Sequence, residues 1–346
     1  MRALVLGAIF LAILVPGAAS ADTGPIKHWG TFPGREVRAI SFRDNFGDAY
    51  YAVVQGRDGH VYMRGRWELY RLLDDAGHFE VVMQTGDCSG PYEAQGVDLR
   101  TRVPMAVCDR GAEIIVFVTQ GYHRHFRVPL PEWVGTAEPT RGDRRYLTSV
   151  VSAGDGGYWF AYGEVGGIGR VFPSGRATLL HLKGFGAIES LAAVGNDAYA
   201  IDERCRVLHL HGTVIAARYG AACGSGQSVY DMSVVATADG AVWALGGRSG
   251  VIVRYGPDGS RRRWDLKMSA DGVVVSRDGT AYVLGASWTV NDGHLIAAIR
   301  PHGMPDVRVL PMSDTGTIAV DGRDRIWITA PFEHGAALIA PKGTWR

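Results

Sequence analysis

A chain of 346 residues with 47% apolar and 21% charged side chains has enough material for a large soluble core. It carries 36 basic and 35 acidic residues, and losing Arg2 with an N-terminal leader would leave 35 of each. A surface so balanced has no global field to hold nucleic acid or an anionic bilayer, which excludes both as electrostatic partners.

Met1-Arg2, the apolar stretch Ala3 to Val15, then Pro16-Gly17 and Ala19-Ser20-Ala21 form the pattern of a secretory signal. Cleavage is expected after Ala21, so residues 1–21 are the leader and 22–346 the mature domain, periplasmic or secreted. No later run approaches the length of a membrane helix, so no membrane span is expected in the mature chain.

The mature chain begins with a lone strand pattern at Ile26 to Phe32. Val37 to Phe42 and Tyr50 to Val54 follow as strands, and Asp58-Gly59 then opens a short apolar run through Tyr62. Glu68 to Leu73 and His78 to Met83 complete a first group, and Thr85 to Arg102 reads as a long loop. Val103 to Val107 and Glu113 to Thr119, joined at Arg110-Gly111, make a weaker copy. Stronger copies run through Trp159, Tyr199, Trp243, Tyr282 and Trp327.

With Tyr62 and Ile115 these are seven anchor positions, spaced 39 to 53 residues apart. Short alternating strands, a turn dipeptide in each unit and a period near forty are the pattern of a β-propeller. Helical spacing is nowhere sustained, because Gly interrupts each candidate. The expected fold is therefore all-β, a seven-bladed β-propeller over residues 22–346. Each blade is a four-stranded antiparallel sheet (strands A to D from the axis outward), with Asp-Gly turns between A and B. The last unit lacks an outermost strand, and Ile26 to Phe32 is expected to supply it and close the ring.

Four cysteines in an exported chain suggest disulfides, and proximity in sequence favours Cys88 with Cys108 and Cys205 with Cys223. Strand order puts the A–B and C–D turns at one end of the sheets, and the B–C loops with the inter-blade connections at the other. The Asp-Gly end is expected to matter least for function. The B–C end holds the more unusual residues: Trp67, Glu68, Tyr122, His123, Glu164, Asp202, Arg204, Trp288, Asp292, Glu333 and His334. Aromatic, acidic and basic groups converging at one mouth suit a polar ligand. His123 with His125, and His209 with His211, alternate on strands and could each offer two metal ligands, although no third is visible, so no metal site is expected. Arg261-Arg262-Arg263 reads as a solvated edge. No Gly-x-Ser-x-Gly elbow, Walker loop or His-Glu-x-x-His is present.

Tyr158-Trp159-Phe160-Ala161-Tyr162-Gly163-Glu164, Gly167-Ile168-Gly169-Arg170-Val171 and Pro173-Ser174-Gly175 resemble the repeat of the streptogramin lyase (virginiamycin B lyase) family. The stretch from Asp239 through Trp243 to Pro257-Asp258-Gly259 is similar, and NHL-type propellers share much of this pattern. The resemblance implies a propeller and, if activity follows, magnesium-dependent opening of a cyclic depsipeptide at the mouth. Glu164 would match the repeat acid, and His294 and His334 would lie near the corresponding positions of the sixth and last blades.

The residues themselves assign neither a cofactor nor a catalytic set. The expected protein is an exported monomeric propeller that binds a small-molecule or protein ligand at its mouth, without catalysis. A lyase-like magnesium enzyme or a lactone hydrolase is the alternative.

Overall fold

The structure, a computed structural model, describes residues 32–41, 52–55, 61–64, 68–73, 79–84, 93–97, 104–109, 113–118, 124–129, 147–155, 157–162, 166–172, 174, 176–223, 232–287, 293–310, 312, 315–330 and 335–342. Among these residues every regular element is a strand, apart from one short 3-10 turn at Gly247–Ser249. None is a helix long and apolar enough to cross a membrane.

The strands form seven four-stranded antiparallel sheets. Sheet I holds β2 (Ala52–Gln55), β3 (Val61–Arg64), β4 (Glu68–Leu72) and β5 (Phe79–Gln84). Sheet II holds β6 (Glu93–Val97), β7 (Pro104–Asp109), β8 (Glu113–Val118) and β9 (Arg124–Pro129). Sheet III holds β10 (Leu147–Ser152), β11 (Tyr158–Tyr162), β12 (Gly167–Val171) and β13 (Ala177–His181). Sheet IV holds β14 (Ile188–Val194), β15 (Asp197–Asp202), β16 (Arg206–His211) and β17 (Val214–Ala221). Sheet V holds β18 (Ser233–Ala236), β19 (Val242–Leu245), β20 (Val251–Tyr255) and β21 (Arg261–Asp265). Sheet VI holds β22 (Met268–Val275), β23 (Ala281–Ser287), β24 (His294–Ile299) and β25 (Asp306–Val309). Sheet VII holds β26 (Ile318–Val320), β27 (Ile326–Ala330), β28 (Gly335–Pro341) and, beside β28, β1 (Arg35–Ser41).

The middle strands are buried on both faces, which explains their continuous apolar runs. Val242 to Leu245 are all buried, whereas outer strand β21 exposes Arg261, Arg262 and Arg263. Each apolar cluster lies between neighbouring sheets. Trp243 and Trp264 of sheet V pack with Val283 and Ile299 of VI, and Tyr282 and Leu284 of VI pack with Ile328 and Ile339 of VII. Trp327 of VII packs with Val61 and Tyr70 of I. Innermost strand β6 lies beside β2 and β10, so sheet II sits between I and III.

Two expectations shift. The strand beside β28 is Arg35–Ser41, registered from Arg35↔Pro341 to Ser41↔Gly335, so it takes the outer place assigned to Ile26 to Phe32. Phe32 instead ends before a turn at Pro33-Gly34 and packs against Tyr282 with ring centroids 5.8 Å apart. Residues 26–31 lie outside the described residues. Arg35 helps fix the joint: its guanidinium donates to the Asp324 carbonyl and carboxylate, both at 2.6 Å, and lies over the Tyr282 ring.

The second difference is in sheet II. Glu93–Val97 is its first strand, inside the stretch expected to be a loop. Pro104–Asp109 therefore moves to second place and Glu113–Val118 to third. Ile115 is not the counterpart of Trp159 or Trp243; Met105 holds that register position. Glu-Ala-Gln-Gly-Val has little of the β-branched and aromatic content that marks strands elsewhere in the chain.

Candidate functional site

Two ends of the sheets offer candidate sites: the mouth end, with B–C loops and inter-sheet connections, and the turn end, with A–B and C–D turns.

At the mouth end the described geometry centres on Asp202, the last residue of β15 and fully buried. One carboxylate oxygen accepts the backbone N–H groups of Arg204 at 3.1 Å and Arg206 at 2.8 Å. The other takes the Arg206 guanidinium through Nε at 2.7 Å and Nη2 at 2.5 Å. Arg206 in turn lies over the Phe185 ring at 4.4 Å. A buried carboxylate saturated in this way holds the turn together, and its oxygens have no room for a ligand. The Arg204 side chain, by contrast, is 66% exposed, with a long 3.9 Å contact to Glu203.

Cys205 follows in the same turn with positive φ, and is bonded to Cys223 in the connection leaving sheet IV. The Cα atoms are 5.5 Å apart, and the Cys205 sulfur also touches that of Met232 at 3.5 Å. This is the bridge expected from sequence. His294 opens β24 at the same end, its Nδ1 2.7 Å from the Thr315 hydroxyl.

Glu68 is the first residue of β4. Trp67, Glu164, Trp288, Asp292, Glu333, His334 and Cys88 lie outside the described residues. So do Tyr122 and His123.

At the turn end, Asp155, Asp197 and Asp321 are each engaged. Asp155 Oδ1 accepts the Gly157 N–H at 2.9 Å and Arg170 Nη2 at 2.5 Å. Arg170 also donates to the Val171 carbonyl and lies over Trp159 and Phe172 at 5.1 and 5.3 Å. Burial pushes the Asp155 carboxyl up, but the Gly157 N–H and Arg170 outweigh it and leave the pKa below the usual value. Asp321 is bonded to the Arg325 guanidinium at 2.6 Å and to Trp327 Nε1 at 3.0 Å. Asp197 bridges two imidazoles, His209 Nε2 at 3.1 Å and His211 Nδ1 at 2.6 Å. Burial raises its pKa, yet the hydrogen bonds from His211 and His209 prevail and lower it. His209 also stacks on Tyr199, with centroids 4.6 Å apart.

The alternation of His209 and His211 thus has a third partner that sequence could not show. Among the described residues, however, no three His, Cys, Asp or Glu side chains are grouped to hold a metal. Burial also pushes the Tyr282 phenol up to about 12, so it stays protonated in a small cavity of about 190 Å³ beside Arg35 and Arg300.

No protein-family model and no curated protein sequence matches the chain. Solved structures do. A streptogramin B lyase matches with a TM-score of 0.67 at 13% identity, covering 90% of this chain and 99% of that one. A catalytically inactive virginiamycin B lyase from Staphylococcus aureus, solved with quinupristin, matches with a TM-score of 0.66 at 11% identity, covering 88% and 99%. The WD40 beta-propeller domain of Doa1 matches with a TM-score of 0.64 at 13% identity, covering 90% and 99%. The chain is a β-propeller, similar in fold to the streptogramin lyases; at these identities the likeness speaks for the fold.

Proposed function

We propose that residues 22–346 form a ring-closed, seven-bladed propeller that is exported and binds a small-molecule or protein ligand at its mouth without transforming it. The observation that carries this reading is the frame around Asp202. A buried carboxylate fixes the turn that presents Arg204 to solvent, and a disulfide ties that turn to the next connection. A rigid frame carrying an exposed guanidinium suits recognition of a polar ligand. Trp67, Glu68, Glu164, Trp288, Asp292, Glu333 and His334 are the proposed companions of Arg204.

Closure is supported by the β1–β28 pairing, which unites the two ends of the described chain in one sheet. Export is supported by the leader pattern and by the Cys205–Cys223 bridge, since disulfides persist in oxidising compartments. The second bridge, Cys88 with Cys108, rests on proximity in sequence and on export. The charged outer strand β21 discourages edge pairing and supports a monomer, to be checked by sedimentation.

The test is native mass spectrometry of the exported protein after exposure to a periplasmic and culture-medium extract. A ligand retained by the wild type, lost from Arg204→Ala and recovered unchanged supports the reading. A ligand recovered in altered form sinks the non-catalytic part, and no retained ligand sinks the whole.

A second reading, a lyase-like enzyme or lactone hydrolase, is favoured by the fold likeness and by His294, held by Thr315 at the mouth end. Asp202 is already spent, so magnesium would depend on Glu164 and Glu333. Magnesium-dependent opening of quinupristin, abolished in His294→Ala, would establish it.

A further inference from the structure

Four A–B turns share one backbone design. Counting back from the second-strand aromatic, the residue six places before it donates its N–H to the carbonyl two places before it. This holds for Ala153 to Gly157, Thr237 to Ala241, Ser276 to Thr280 and Asp321 to Arg325. In sheets III and V the chemistry laid on this turn is also the same. Asp155 and Asp239 lie four places before Trp159 and Trp243, and Arg170 and Arg254 pair with those tryptophans across the next strand.

The outcome differs. In III, Asp155 grips Arg170 and the guanidinium is sealed, its side chain 3% exposed. In V, the residue six places before the tryptophan is Thr237 rather than Ala153, and its hydroxyl donates to Asp239 Oδ1. The same Oδ1 also accepts the Ala241 N–H at 3.2 Å, so both contacts tie Asp239 to its own turn. Arg254 is left over the Trp243 ring at 5.9 Å, its Nε buried without a hydrogen-bond partner. Asp239 and Asp258 feel its charge, but among the described residues no carboxylate hydrogen-bonds it. Directly across the next strand stands Arg262, where sheet III has Thr178 opposite Arg170. Like charges placed opposite each other repel, and an anion between them relieves the cost. Above Arg254 opens a cavity of about 870 Å³ between the turns of sheets V, VI and VII, with Trp243, Val235, Val275 and Pro301 as apolar wall.

We propose that this turn-end cavity is a binding site for a small organic carboxylate, with Arg254 gripping the carboxylate and Trp243 packing against an apolar body. A planar guanidinium without a carboxylate partner can meet a ligand carboxylate through its terminal nitrogens in a two-point, charge-assisted bond. Asp239, Asp278, Asp321 and Asp324 also line the cavity, Asp321 and Asp324 neutralised by Arg325 and Arg35, and they limit the charge the site tolerates, so a monoanion is preferred to phosphate. The site is separate from the mouth and does not depend on the reading given for it.

Calorimetric titration of the intact protein with 2-naphthoate, 2-naphthamide and inorganic phosphate tests the assignment. 2-Naphthoate should bind at least about tenfold more tightly than 2-naphthamide or phosphate, and Arg254→Gln should lose about that factor. Two milder variants act on the acid instead. Asp239→Asn removes a competing charge and should tighten binding, whereas Thr237→Ala frees Asp239 to close on Arg254 and should weaken it. Absence of 2-naphthoate binding, equal affinity for the amide, or affinity unmoved by all three substitutions overturns the proposal. Preference for phosphate overturns the assigned ligand class.

Discussion

Sheets III and V carry an acid, a tryptophan and an arginine at the same spacing, and put them to different use. In III the trio is a closed internal bond, with Arg170 held between Asp155 and the Trp159 ring. In V the same acid is captured by its own turn through Thr237, and Arg254 faces a cavity. Sheet VII shows a third solution. There an acid, Asp321, occupies the place of Ala153 and Thr237, and takes both Arg325 and the Trp327 N–H. The difference teaches that one side chain at the start of the turn decides whether the turn's acid serves local or tertiary structure.

The largest expected effect comes from removing the acid's charge in sheet III, with the same change in sheet V as its control. Asp155→Asn keeps an acceptor for the Gly157 N–H but leaves the Arg170 cation buried with only Val171 and two rings around it. Asp155 is itself partly exposed, so the cost should fall between an exposed and a fully buried pair, roughly 2 kcal/mol. Asp239→Asn should cost under about 0.5 kcal/mol, because Asn still accepts from Thr237 and Ala241 and no ion pair is broken. Urea unfolding of both variants checks this, and equal losses would erase the distinction between the sheets.

A smaller, pH-dependent effect follows from the same pair. Both carboxyls are held below the usual aspartate pKa. For Asp155, burial works against the shift and the Gly157 N–H and Arg170 produce it. For Asp239, the Thr237 hydroxyl is the main cause and burial opposes it. A depressed native pKa contributes stability above the unfolded value and loses it as pH falls through the native one. Acidification below about pH 4 should therefore destabilise the wild type. Asp155→Asn should flatten that acid limb, and Asp239→Asn should flatten it less. Melts between pH 2 and 5 would show the order, and its reversal would place the stronger ion pair in sheet V.

Much of this fold is legible in the sequence because burial on both faces writes itself as short apolar runs around Trp159, Trp243 and Trp327, each opened by a turn. Sheet II is the exception. Glu93–Val97 is poor in strand-forming residues, so the regular spacing falls one strand too late, on Ile115 instead of Met105. The strand beside β28 differs for a related reason: Ile26 to Phe32 and Arg35 to Ser41 look equally strand-like, and pairing with Gly335–Pro341 decides between them. The turn-end cavity escaped sequence reading because Asp239-Gly240 reads as punctuation. The contrast of Ala153 and Thr237 is plain in the letters, but its consequence requires knowing that Arg254 lies beside the tryptophan on the next strand.

The finest comparison isolates the hydroxyl itself. Sheet VI repeats the arrangement of V, with the one Ser276 hydroxyl proton shared between Asp278 Oδ1 at 2.5 Å and the Thr280 carbonyl at 3.0 Å. Its third strand, however, offers Ala298 opposite Tyr282, so no arginine of that sheet waits to replace the hydroxyl. Ser276→Ala should then cost about 1 kcal/mol, the usual loss for a buried hydroxyl hydrogen bond. Thr237→Ala removes the equivalent bonds but lets Asp239 turn to Arg254, so its net cost should be less than about half of that. The Thr237→Ala, Arg254→Gln double mutant closes the cycle: with the arginine gone, the threonine's loss should rise to the serine's. If instead the two hydroxyls cost the same whether or not Arg254 is present, Asp239 does not move to the arginine, and Thr237 is not what keeps the cavity's cation open.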